Sequence, residues 1–139
     1  MPKEQRNAAM IILVNTDGHI LMQHRTDDAP LYPGYWAFFG GGLEVGEVPE
    51  DGIKREMLEE TCYQLDNPKQ IFTVDYDNEW NYGKKYYFIE KYDYNQKIDQ
   101  KEGQGYEWIS LNNLSKYKIA EHNLKVIEQI KPKIEAYKM

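Results

Sequence analysis

Apolar residues run unbroken from Ala8 to Val14. A strand with one buried face alternates apolar and polar positions, so this run predicts a strand covered on both faces. Thr16-Asp17-Gly18 follows, and Asp-Gly after an apolar stretch predicts a hairpin turn. Residues 19–25 are then the returning strand, with Leu21, Gln23 and Arg25 on one face. Two prolines and a glycine make residues 26–35 a loop. Residues 35–39 predict a short aromatic strand, broken by Gly40-Gly41-Gly42. Residues 49–62 predict a helix. Pro49 suits its first turn, Glu50 and Asp51 suit the positive end of its dipole, and Ile53, Met57 and Leu58 supply a core stripe. Residues 71–94 are strand-like, with a turn expected near 81–83, and residues 106–109 are another strand. Ser110 is placed to cap a short helix, and a last helix is expected over residues 120–137, kinked or divided by Pro132. This order predicts an α/β architecture, a mixed sheet flanked by helices on its faces.

Composition narrows the picture. At 139 residues the chain fits one domain, residues 1–139. A chain of this size buries roughly 68–70% of its unfolded surface and needs no disulfide or structural metal to fold. A hydrophobic fraction of 41% argues against global disorder. No apolar run nears the roughly 18 residues of a membrane span, and the N-terminal stretch has no usable signal-peptide pattern. The single Cys62 cannot form an internal disulfide, so a reducing cytoplasm is the expected location. A net charge of −6 disfavours binding to nucleic acid, whose phosphates an acidic surface repels.

The acids are unevenly spread. Seven of the 23 carboxylates (Glu44, Glu47, Glu50, Asp51, Glu56, Glu59, Glu60) fall between Glu44 and Glu60. Such crowding costs repulsion unless something positive arrives. Glu56, Glu59 and Glu60 are related by i, i+3 and i+4, so a helix presents them on one face while Ile53 and Met57 face elsewhere. Acidic helix faces are usually plain solvated surface. Two features favour a ligand here: there are no i+4 lysine partners, and a Gly-rich stretch precedes the helix, whose bare backbone can approach a ligand. Carboxylate oxygens suit Mg²⁺ or Mn²⁺. Arg55 is placed to pair with Glu47 and hold the loop to the helix.

The spacing Gly41-x5-Glu47-x7-Arg55-Glu56-Met57-x-Glu59-Glu60 resembles the GX5EX7REUXEEXGU signature of the Nudix hydrolase superfamily, where U is a bulky apolar residue. The surrounding stretches, residues 35–47 and 102–114, are similar to the family as well. Departures are Cys62 at the signature's second Gly, Tyr63 at its last apolar position, Phe39 where many members have Pro, and Gly52 where many have Ala. A Cys pays to adopt the left-handed helix end that Gly favours, so that end is expected to be rearranged or mildly strained. Gly52 is expected to weaken the helix by up to about 1 kcal/mol.

The resemblance implies a Nudix-like α/β/α sandwich and Mg²⁺-dependent hydrolysis of a pyrophosphate bond in a nucleoside diphosphate derivative, with Mn²⁺ as the alternative ion. A nucleoside triphosphate, ordinary or oxidised, leads the substrate classes. ADP-ribose, dinucleoside polyphosphates and nucleotide sugars stay open, as does a nucleotide sensor without turnover. An isoprenoid diphosphate isomerase of the same fold would need a reactive Cys in its pocket, which Cys62 does not supply. By resemblance, Glu56, Glu59 and Glu60 hold the metal with the Gly41 carbonyl, and Glu47 and Arg55 are scaffold. The catalytic carboxylates are Glu56, Glu59 and Glu102, with Glu56 or Glu102 as general base. Arg25 is the expected phosphate contact. Family members are often homodimers, but no interface is readable in the chain.

Elsewhere bland readings prevail. The nine aromatics between Phe72 and Tyr94, and Trp36, are expected to be sheet packing. His19, His24 and His122 are expected at the surface, and Cys62 is expected to be a small buried hydrophobe.

Overall fold

The computed structural model describes residues 3–137. Residues 1, 2, 138 and 139, the ends of the expected domain, lie outside the described residues. The strands are β1 (Glu4–Gln5), β2 (Ala8–Val14), β3 (Ile20–His24), β4 (Trp36–Ala37), β5 (Phe39–Gly42), β6 (Lys69–Asp77), β7 (Asn81–Lys91) and β8 (Gly105–Ile109). The helices are α1 (Pro49–Thr61) and α2 (Glu121–Ile134). β2 runs through the middle of one mixed sheet. One edge pairs in parallel with β7 from Ala8–Lys85 to Val14–Lys91. The other edge is divided between β5, antiparallel over Ala8–Ile11, and β3 at Val14–Ile20. β3 continues the sheet to β4 and β8, and β7 continues it to β1 and β6.

The apolar run of β2 reflects cover on both faces. Ala9, Ile11 and Leu13 pack with Ile53 and Met57 of α1, and with Phe39, Tyr63 and Phe88. Ile12 and Val14 pack the opposite way, with Val126, Ile127, Ile130 and Ile134 of α2. Each fully buried side chain of this size contributes roughly 1.5–3 kcal/mol, so both helices are docked mainly by burial. Among the described residues no helix is long and apolar enough to cross a membrane.

Several expected boundaries shift. Gly40, Gly41 and Gly42 do not break a strand; they are β5, paired with Met10, Ala9 and Ala8. A Cβ on Gly40 would sit 2.1 Å from the Ala9 carbonyl oxygen, so glycine is what lets these two backbones pair this closely. The 81–83 turn lies instead at Asn78–Trp80, where the Asn78 side-chain oxygen accepts from the N–H groups of Trp80 (2.8 Å) and Asn81 (2.7 Å). Gly83 lies inside β7, where a Cβ would meet the Arg6 carbonyl oxygen at 2.3 Å. Ser110 accepts from Asn112 N–H at 3.3 Å and caps a 3₁₀ helix, Leu111–Lys116. Pro132 falls in the last turn of α2, which passes into a 3₁₀ turn at Glu135–Tyr137.

α1 opens with Pro49 at its start and ends in a left-handed Cys62 (φ 60°, ψ 12°). The helix end is not rearranged. Cys62 takes the conformation a glycine would take, and its N–H donates to the Leu58 carbonyl at 2.9 Å. Its thiol is exposed, not buried, because the side chain at this cap leaves the core. The next residue, Tyr63, is fully buried, and its hydroxyl accepts the Asp93 N–H at 2.7 Å. Gly52 also has a packing reason: a Cβ there would lie 2.2 Å from Leu43 Cδ2.

Since Cys62 adopts a left-handed backbone without buried contacts, Cys62→Gly should stabilise the fold by about 1 kcal/mol, while Cys62→Ala should not. Thermal melts of the two variants beside the parent would show a rise of a few degrees for glycine alone.

Candidate active site

Residues 43–48 carry the chain from β5 to α1, and Arg55 ties that loop down. Its Nε donates to Glu47 Oε2 at 2.8 Å and its Nη2 to Glu47 Oε1 at 2.9 Å, a two-pronged pair. Nη2 also reaches the Gly42 carbonyl at 3.1 Å, and Nη1 lies 3.2 Å from both Glu56 Oε1 and Glu59 Oε2. The Arg55 hydrogen bonds, with the Glu44 N–H second, pull the Glu47 carboxyl down to about 2. Glu47 in turn raises the Arg55 pKa above its ordinary value.

The three helix carboxylates differ. Glu59 is exposed and leans on Arg55. Glu56 is mostly covered, and burial raises its pKa against the pull of Arg55. Glu60 is 8% exposed and accepts the Gly40 N–H at 3.2 Å. Burial first, and then the charge of Glu56, push its carboxyl up to about 8. Gly41 stands directly against Glu56, since a Cβ on it would lie 2.8 Å from the Glu56 carboxyl.

These features fit a hard divalent cation. The donors are all oxygens, Glu60 is a buried acid with no ion pair among the described residues, and any side chain at Gly41 would fill the space before Glu56. Among the described residues no three His, Cys, Asp or Glu side chains converge as a closed metal cage. Glu56 and Glu59 are turned to Arg55 instead, so a cation would have to draw them away.

Two residues expected from elsewhere in the chain share a cleft with Glu60. A cleft of about 480 Å³ is lined by Arg25, Gly40, Glu60 and Glu102 among others. Arg25 lies just past β3, its N–H donating to the Tyr35 carbonyl at 2.8 Å and its Nε to the Leu31 carbonyl at 2.9 Å. Glu102 is exposed, and its charge reaches both Glu56 and Glu60. Its loop is held to the end of α1 by Lys101 N–H donating to the Glu60 carbonyl at 2.7 Å.

A second cavity, of about 240 Å³, opens from Arg25 and Gly40 toward the α2 face of the sheet. Trp36, Phe38 and Tyr87 give it aromatic walls, and Lys85, His122 and Asn123 supply polar groups. Trp36 is therefore wall as well as packing; it stacks on His24 with centroids 4.4 Å apart. None of the three histidines is fully exposed at the surface. His24 sits under Trp36, His122 faces the cavity, and His19 is half-buried beside the β2–β3 turn. Lys85 and Asn123 are the residues sequence reasoning missed. The two-residue alternation of β7 would have put Lys85 on one face with Tyr87 and Ile89, but nothing in the chain tells that α2 leaves a cavity there.

The sequence matches a family model described as the NUDIX domain over residues 4–130. It is 43% identical over 53 residues to nucleoside triphosphatase NudI of Escherichia coli, a stretch covering 38% of this chain and 38% of that relative. The match thus spans well under half the length of such relatives. The MutT protein of Methanosarcina mazei Go1 has a similar structure, with TM-score 0.83 and 19% identity over 96% of this chain and 97% of that one. The NUDIX domain of Shewanella oneidensis NrtR, solved with ADP ribose, gives TM-score 0.76 and 20% identity over 96% and 90%. At these identities the structural likeness shows the fold.

Two outcomes follow from the charge arrangement. Glu47 has a depressed pKa in the fold, so the pair it makes is complete above the ordinary carboxylate value of 4.5 and is lost as pH falls toward 2. Arg55→Ala should lower the melting temperature at pH 7, and the gap to the parent should shrink in melts run from pH 5 down to 2. Glu60 behaves oppositely. Its raised pKa means that stability is full below 4.5 and declines as pH rises toward about 8. In chelator, Glu60→Gln should match the parent at pH 5 and exceed it at pH 8 by on the order of a few kcal/mol in denaturant titrations.

Proposed function

The chain belongs to the Nudix family, and on that premise we propose that it hydrolyses a pyrophosphate bond in a nucleoside diphosphate derivative, a nucleoside triphosphate or an oxidised nucleotide first among them. The observation that carries this reading is Glu60, a buried acid with no ion pair among the described residues, on a glycine-edged ridge where a cleft and an aromatic cavity meet. A polyphosphate and this acidic ridge repel each other, so positive charge must stand between them.

Glu56, Glu59 and Glu60, with the Gly41 carbonyl, would hold a divalent cation, Mg²⁺ by ligand hardness and Mn²⁺ as the alternative. When bound, such an ion polarises phosphoryl oxygens and lowers the pKa of a bound water. Arg25 donates to a phosphate oxygen from the wall of the cleft. Glu102 makes no hydrogen bond or ion pair among the described residues, so it is free to take the proton of the attacking water at a carboxylate oxygen; Glu56 is the alternative base. The water oxygen bonds to phosphorus as the bridging P–O bond breaks. Arg55 and Glu47 touch no reacting atom and act as positioning residues, holding the loop that sets Gly41 against Glu56. The aromatic cavity takes the nucleoside.

The description of the Escherichia coli relative as a nucleoside triphosphatase favours a triphosphate. The ADP-ribose bound to the NrtR domain keeps ADP-ribose next in order. One observation keeps a sensor without turnover as the second reading: Glu56 and Glu59 are both paired with Arg55.

A panel of nucleoside triphosphates, ADP-ribose, dinucleoside polyphosphates and nucleotide sugars with Mg²⁺ or Mn²⁺ decides between these. We expect metal-dependent release of phosphate or pyrophosphate, with ¹⁸O from water in one product. Glu59→Gln should cut kcat roughly 100-fold or more, and Glu102→Gln by a similar factor, with native circular dichroism in both. Binding of a nucleotide with no product from any class would establish the sensor instead.

A further inference from the structure

Lys85 is a charged group in the aromatic cavity that the hydrolytic reading leaves unused. It lies on the α2-facing row of β7, one step out from the buried Tyr87, and lines the cavity with His122 and Asn123. Its chain neighbour Lys84 points the other way and pairs with Asp75. Among the described residues Lys85 has no carboxylate at ion-pair distance; its Nζ rests 5.3 Å from the centroid of the Tyr76 ring. Burial lowers its pKa, and its charge is one cause of the lowered pKa of His122. A half-buried ammonium without a counter-ion is costly unless a ligand supplies acceptors.

Position says which part of a ligand that is. Lys85 pairs with Ala8, and Ala8 pairs with Gly42. Two strand spacings, roughly 10 Å, therefore separate Lys85 from the glycine edge where the phosphates are read. Arg25 serves that end. Phe38 and Tyr87 line the same cavity as Lys85 and Arg25, beside Trp36, and aromatic walls suit a flat ring. A dry cavity of roughly 150 Å³ accepts benzene, so 240 Å³ has room for a one- or two-ring heterocycle.

On the premise that the substrate is a nucleotide, we propose that Lys85 selects its base, donating to the carbonyl edge of guanine, thymine or uracil and disfavouring adenine and cytosine. Guanine offers O6 and N7 as adjacent acceptors and thymine offers O4, whereas adenine and cytosine place an amino donor at the matching position. An ammonium has only donors, so it meets a like group there.

The test compares kcat/KM for dGTP, dTTP, dATP and dCTP in the parent, Lys85→Met and Lys85→Gln, with binding of GMP, TMP, AMP and CMP measured in parallel. The parent should prefer the two keto bases. Lys85→Met should lower kcat/KM and affinity for these by about tenfold or more and change the amino bases less than about threefold. Lys85→Gln, which both donates and accepts, should narrow the preference. Equal loss for all four bases would assign Lys85 to phosphate and overturn the proposal, as would no loss in a folded variant. Hydrolysis with a base preference indifferent to Lys85 would sink this inference and leave the hydrolase reading. Lys85-dependent binding of GMP and TMP without turnover of any triphosphate would do the reverse.

Discussion

The Arg55 guanidinium is the cation around which the acidic segment can fold. It is set among Glu44, Glu47, Glu56 and Glu59 and reaches the Gly42 carbonyl as well. The planar fork fixes Glu47 with two hydrogen bonds, and Glu47 in turn accepts the Glu44 N–H at 2.9 Å. Loop, strand end and helix are thereby locked as one unit. That lock sets Gly41 against Glu56 and Gly40 against Glu60. The neutralisation is one-sided. Glu47 has its counter-charge and is pulled down to about 2; Glu60, on the side of α1 that faces the glycines, has an N–H but no ion pair among the described residues and is pushed up to about 8. The segment folds with part of its negative charge uncompensated, at the place where a cation and a polyanion would enter.

The sheet then sets what lies on either side of that charge. β2 is buried on both faces, so α1 and α2 are held to opposite faces of the same strand. α1 brings the carboxylates to one side of β5, and the first turn of α2 brings His122 and Asn123 to the other. Trp36 joins them, its N–H donating to the Lys118 carbonyl at 2.8 Å. Arg25 borders both the cleft and the cavity. An acidic end and an aromatic end are thus joined at one arginine.

Much of the ridge was legible because it is local. Glu56, Glu59 and Glu60 need only helical spacing to share a face, and Arg55 with Glu47 needs only a loop short enough to fold back. Glu102 is different. Its place by Glu60 depends on a loop some forty residues downstream bonding to the end of α1, and only the family resemblance suggested it. The glycine run was misread because Gly usually weakens strands, whereas here the approach of Ala9 requires it at Gly40. The 81–83 turn was misplaced because Gly83 is a turn signal by composition, while the Asn78 side chain makes the actual turn. Cys62 was misjudged because its burial depends on which way a left-handed cap directs the side chain.

By itself the sequence determined the two-sided β2, the carboxylate face of α1, its scaffold pair and the mixed sheet between helices. Each of these follows from periodicities of two or 3.6 residues, or from charges a few positions apart, which any short stretch of chain carries with it. The tertiary structure alone decided that Glu60 would be buried with no ion pair among the described residues, that Arg25 and Glu102 would line a cleft with it, and that Lys85 would line a cavity with Trp36 and His122. Burial and desolvation are properties of what packs over a residue, and the covering elements come from distant parts of the chain.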